Sequence, residues 1–120
     1  MSIALIRDYL AAMEARDLNA AQAMLSDDFV MQFPGTEPMT QLSELIAWAA
    51  PRYLFVRKTY TGFDTASDGV LAVVYCRGTL QGEWPDGTEF EGIRFIDRFE
   101  IVDGKISRQD VWNDLAEVRP

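Results

Sequence analysis

The chain has 120 residues, 48% of them hydrophobic, which predicts a single globular domain over residues 1–120 with one buried core. Its 19 acidic and 11 basic residues give a formal charge of -8, and the charges are scattered, so neither nucleic acid nor an anionic membrane surface suits it as a partner. With no histidine and one cysteine, histidine-dependent nucleophile systems, histidine-containing zinc sites and an intrachain disulfide are excluded.

The N-terminal segment lacks the basic start and long apolar stretch of a signal peptide, and no apolar run nears the ~20 residues of a membrane span, so a cytoplasmic address is expected. Ile3, Ile6, Leu10 and Met13 recur at helical spacing, which predicts an amphipathic helix over 3–15 with Leu5 and Tyr9 flanking its apolar stripe. Asp17 is placed to cap a second short helix over 18–25, which ends at Ser26-Asp27-Asp28. Residues 29–33 read as a short strand closed by Pro34-Gly35. Thr40 as N-cap, followed by Leu42, Leu45, Ile46 and Ala49, predicts a third helix that Pro51 should bend or divide.

Beyond Arg57 the pattern changes to strands over 58–65, 70–84, 88–102 and 105–113, joined by turns at Ser67-Asp68-Gly69, Pro85-Asp86-Gly87 and Asp103-Gly104. A meander with one apolar face must be covered, and the preceding helices are the only candidates. The predicted class is α+β, with N-terminal helices packed on a curved, mostly antiparallel sheet and space for a cavity between them. Trp48, Tyr53, Phe55, Phe63, Tyr75, Phe90 and Phe95 supply aromatic surface for such a cavity or for the core. The glycines stand singly, with no phosphate-cradling loop or dinucleotide fingerprint, so no cofactor and no metal are expected. Cys76, within Val73-Val74-Tyr75-Cys76, reads as a small buried residue rather than a nucleophile.

In the run Ile93-Arg94-Phe95-Ile96-Asp97-Arg98-Phe99-Glu100-Ile101, alternation puts Asp97 on the same face as Ile93, Phe95, Phe99 and Ile101. A carboxyl among apolar neighbours is costly unless it is hydrogen-bonded or protonated, and such placements often mark chemistry. A two-residue turn at Asp103-Gly104 would set Asp97 against Asp110, two like charges on the apolar side. The expected hairpin therefore has a three-residue loop, 102–104, that pairs Ile101 with Lys105, Asp97 with Gln109 and Arg98 with Arg108. Gln109, Val111 and Asn113 then join Asp97 inside, while Ile96, Ile106 and Trp112 point outward. Three apolar residues on an outer face predict a homodimer through that face.

Tyr9-Leu10-Ala11-Ala12-Met13-Glu14-Ala15-Arg16-Asp17-Leu18-Asn19-Ala20, then Leu25-Ser26-Asp27-Asp28-Phe29-Val30 and Pro34-Gly35-Thr36-Glu37-Pro38, resembles the opening of ketosteroid isomerases and SnoaL-like polyketide cyclases. Residues 95–106 and Val111-Trp112-Asn113-Asp114 resemble the closing hairpin of the same superfamily. This resemblance implies the cystatin-like cone of the nuclear transport factor two type, a pocket inside it for a small hydrophobic ligand, and frequent dimers. It matches the isomerases' oxyanion-hole tyrosine to Tyr9 and their oxyanion-hole aspartic acid to Asp97, a catalytic pair that would stabilise charge on a carbonyl oxygen. The position of their general base holds Phe33, and the catalytic aspartate of the related epoxide hydrolases falls on Val111. Glu91, Glu37 and Asp64 are the carboxylates left to supply a base.

The expected ligand-binding set is Phe33, Trp48, Tyr53, Phe95, Gln109, Val111 and Asn113. Two functions follow: an isomerase or polyketide cyclase acting on a carbonyl compound through an enolate, or a ligand-binding or dimerisation domain without turnover.

Overall fold

A computed structural model of the chain describes residues 2–67 and 69–120. In order, it forms α1 (Ser2–Glu14), α2 (Leu18–Ala23), β1 (Leu25–Gln32), α3 (Leu42–Ala49), β2 (Phe55–Ser67), β3 (Ala72–Glu83), β4 (Glu89–Val102), β5 (Lys105–Asn113) and α4 (Leu115–Val118). The five strands make one sheet in the order β1-β5-β4-β3-β2. β2 to β5 form the expected antiparallel meander, and β1 closes the far edge parallel to β5. This is an α+β domain whose helices lie on one face of a curved, mostly antiparallel sheet.

The apolar stripe of α1 explains its position. Ile6, Tyr9, Leu10 and Met13 are buried, and the helix lies over β2 and β3. The Tyr9 ring meets Phe99 of β4 edge to face at 6.0 Å. Asp17 caps α2 by accepting from the Ala20 N–H, as its position predicts. Helix α3 starts one residue later than expected. Its N-cap is Gln41 rather than Thr40, and the Glu44 carboxylate accepts from the backbone N–H groups of both. It ends at Ala49, so Pro51 lies beyond it.

Strand β1 begins at Leu25, four residues before the predicted start, because its first residue pairs with Ile106 of the last strand. The expected turn at Ser67-Asp68-Gly69 includes Asp68, which lies outside the described residues.

Bulges explain where simple alternation breaks. The β4–β5 turn is the two-residue form after all, with positive φ at Asp103 (51°) and Gly104 (75°) and with Val102 opposite Lys105. The register then slips, because Ile101 faces Ile106 and Glu100 faces Arg108, leaving Ser107 as the extra residue of a bulge. The slip puts Asp97 opposite Val111 and Arg98 opposite Asp110, which removes the like-charge opposition that argued against this turn. The two-residue turn itself sets Ile106 against Ile101 and so faces it inward, where it is fully buried, and the expected outward position of Ile106 is corrected. A second bulge, at Glu91 and Gly92 (φ 71°), leaves Glu91 exposed and off the Asp97 face.

A third bulge, at Thr61 of β2, sits where the strand crosses Gly78 of β3. A Cβ added to Gly78 would stand 1.9 Å from the Thr59 carbonyl oxygen, so glycine is needed for this close approach. Gly78→Ala should therefore destabilise the fold by about 1–3 kcal/mol. Urea unfolding would check this, and an unchanged midpoint would show that the two strands are free to separate there.

Candidate functional site

Asp97 is fully buried on β4, between Phe95 and Phe99 on the helix-facing side of the sheet. Its cross-strand neighbours are Cys76 and Val111, neither of which answers a carboxylate. The partner comes from two strands away. Lys58 of β2 reaches over, and its Nζ donates to Asp97 Oδ2 at 2.6 Å. The Lys58 side chain is 19% exposed, and its ammonium also stands 4.9 Å from the centre of the Phe95 ring. Asp97 Oδ1 has no hydrogen-bond partner.

Burial pushes the Asp97 carboxyl above the ordinary aspartate range, and the Lys58 ammonium and the Gln109 amide pull it back without cancelling the effect. Burial alone would lower the Lys58 pKa, but the Asp97 carboxylate outweighs it and holds the amine protonated. Tyr9, also fully buried, donates its hydroxyl to Gln109 Oε1 at 3.2 Å. Burial, and then the charge of Asp97, raise the Tyr9 phenol, so it stays neutral. The same two causes push the Cys76 thiol up to about 12, which leaves it inert.

Above this network lies a cavity of about 100 Å³ between α1, α3 and the sheet. Of the residues expected from sequence, Tyr9, Phe33, Trp48, Tyr53, Phe95, Gln109 and Asn113 line it. Asp97 and Val111 do not. Asp97 sits behind Lys58, and Val111 packs across the ladder from it. Phe33 packs against Trp48 as a tilted pair with ring centres 5.4 Å apart, and Asn113 Oδ1 accepts from the Leu115 N–H that starts α4. Glu37, Asp64 and Glu91 are exposed and away from the cavity.

Three charged lining residues escaped the sequence reading: Glu14, Arg16 and Lys58. Lys58 was within reach of it, because Val56, Lys58 and Tyr60 alternate along β2 just as Phe95, Asp97 and Phe99 do along β4. Glu14 and Arg16 carry no such signal, since their positions depend on how α1 ends. Glu14, the one lining carboxylate among the described residues, accepts from the Lys58 backbone N–H at 3.3 Å. Arg16 has left-handed backbone (φ 58°), and its guanidinium donates to the Met13 carbonyl at 2.8 Å.

This arrangement aims a dipole. The positive end, Lys58, faces an apolar cavity while the negative end is sealed behind it, so the cavity offers a fixed positive charge to an oxygen that gains negative charge. Among the described residues no cluster of three or more His, Cys, Asp or Glu is placed to hold a metal ion, and no helix is long and apolar enough to cross a membrane.

A family model described as the SnoaL-like domain matches residues 6–109. The fold is similar to an NTF2-like protein of unknown function from Burkholderia pseudomallei K96243, at 18% identity over 96% of this chain and 92% of that one, with a TM-score of 0.81. It is also similar to TerC co-crystallized with polyporic acid, at 19% identity over 96% and 92% of the two chains and a TM-score of 0.77. A protein named a candidate polyketide cyclase, from Pseudomonas putida KT2440, matches at 21% identity over 93% and 90%, with a TM-score of 0.66. No curated protein matches the chain.

Removing Lys58 would leave the Asp97 carboxyl buried and unpaired, so Lys58→Met should cost about 3–5 kcal/mol near neutral pH. A folded-state carboxyl pKa above the unfolded value of 3.8 makes stability fall as pH rises through the folded pKa. The variant should therefore be most stable on the acid side and lose stability toward neutrality, and adding Asp97→Asn should recover most of the loss. Urea melts across that range are the check, and a pH-independent penalty would mean the ion pair is not its cause.

Proposed function

Because this chain belongs to the SnoaL-like domain family, we propose that its cavity takes up a small hydrophobic carbonyl compound and stabilises the enolate of that compound on the Lys58 ammonium. One observation carries this reading: a protonated lysine lines an apolar cavity and is held there by a fully buried carboxylate behind it. Charge stabilisation of this kind lowers the barrier to removing a proton next to a carbonyl, the step shared by double-bond isomerisation and by ring closure through an enolate. The polyketide-cyclase name of the Pseudomonas putida relative supports the same reaction class.

In this reading Asp97 is a positioning residue for Lys58, and Tyr9 with Gln109 fixes the polar floor. Glu14, the only lining carboxylate among the described residues, is the group left to take the proton.

The second reading is a ligand-binding domain without turnover, and Phe33 favours it. The wall where related isomerases carry their base is closed by a phenylalanine packed on Trp48. Binding of para-nitrophenol, an enolate mimic whose ionisation is visible, separates the two. The bound dye should take the yellow phenolate form with its pKa lowered by roughly one to two units, and Lys58→Met should abolish the shift. A dye that binds as the neutral phenol would leave only the second reading.

The outer face carries a further part of the proposal, a homodimer through Ile96 and Trp112. These two residues face each other across β4 and β5 and are 37% and 53% exposed. Ile106 plays no part, since it is buried. Sedimentation equilibrium at micromolar concentration should give a dimer for the wild type and a monomer for Trp112→Glu, and a monomeric wild type would end the idea.

A further inference from the structure

The geometry points to a second anchoring point in the same cavity, where Arg16, Arg52 and Tyr53 seat the carboxylate of a small ring-bearing organic acid whose other end lies toward Lys58. This deepens the proposed function and rests on its reading of the cavity as a ligand site. Arg16 and Tyr53 line the cavity together with Lys58. An adjoining recess of about 50 Å³ shares Trp48, Tyr53, Asn113 and Leu115 with it and adds Arg52.

Arg52 is the strongest observation. Its guanidinium lies 4.3 Å from the centre of the Trp48 ring, and its Nε is buried without a hydrogen-bond partner. A buried, unanswered donor of a charged group is costly, and a carboxylate is the acceptor that suits a guanidinium best. Among the described residues no carboxylate stands within ion-pair distance of Arg52 or Arg16. Burial pushes the Tyr53 phenol up, while Arg16, Lys58 and Arg52 all pull it down. In a chain with a formal charge of -8, three cations thus act on this one hydroxyl.

The apolar walls provide for the rest of the molecule. Phe33 and Trp48 form a tilted aromatic pair beside the seat. Since an engineered cavity of roughly 150 Å³ holds benzene, a cavity of about 100 Å³ and its recess of about 50 Å³ limit the ligand to a single ring. A substrate meeting both ends is a cyclic or unsaturated keto acid, its carbonyl at Lys58 and its carboxylate between the arginines and the Tyr53 hydroxyl.

Calorimetric titration of the full chain with benzoate and with benzamide, which has nearly the same shape but no charge, tests the seat. Benzoate should bind roughly ten- to a hundredfold tighter, and Arg52→Gln and Arg16→Gln should each reduce that ratio. Because the readout is a ratio within one protein, a general loosening of the fold does not imitate it. Equal binding of the two probes, or a ratio unchanged in both variants, would overturn the seat and leave the cavity as a ligand site. Failure of both probes to bind would remove the cavity reading and the seat with it.

Discussion

The ion pair of Lys58 and Asp97 is the interaction on which the rest of the interior depends. A lone carboxylate between Phe95 and Phe99 would be untenable in that medium, and a lone ammonium beside Phe95 would fare little better. Together they are tolerated, and the order in which they are stacked gives the cavity its sign. The pair also spans β3, so it ties the edge strand β2 to the centre of the sheet and makes the polar floor a product of the assembled meander. Tyr9 and Gln109 extend the same network to α1, which couples the position of the helix to the chemistry beneath it.

Local irregularity in the sheet does the aiming. The Ser107 bulge returns Gln109 and Val111 to the inner face after Ile106 has already pointed there, and the bulge at Glu91 and Gly92 carries a carboxylate out of the interior. On the outer face the same register produces an ordered charge pattern, with Arg98 opposite Asp110 and Glu100 opposite Arg108. Ion pairs along the strands, Arg98 with Glu100 and Arg108 with Asp110, complete it.

Much of this was legible in the sequence. Helical spacing located α1, turn residues located the meander, and strand alternation placed Asp97 inside without any structural information. Lys58 obeys the same rule, yet a lysine on an edge strand is ordinarily solvated, and its burial makes sense only with Asp97 in view. The bulges were out of reach for a different reason. A one-residue slip changes no local preference, yet it reverses the face of everything beyond it, as Gln109 and Val111 demonstrate by facing inward like Ile106. The parallel pairing of β1 with β5 joins segments far apart in sequence, and the Arg16 and Glu14 positions follow from how one helix terminates, so neither leaves a periodic trace. Family resemblance added the architecture and left the reaction to be argued from side chains.

The phenylalanine at position 33 has an effect beyond the absence of a carboxylate. Its ring and that of Trp48 occupy volume a short acidic side chain would leave empty, so this wall acts as a sieve as well as a surface. As the wall of the proposed ligand site, it would turn away bulky fused-ring molecules by size. Trimming this one side chain would widen the range of guests while leaving the charged floor intact, which makes molecular girth and electrostatic preference separately adjustable traits of the same chamber.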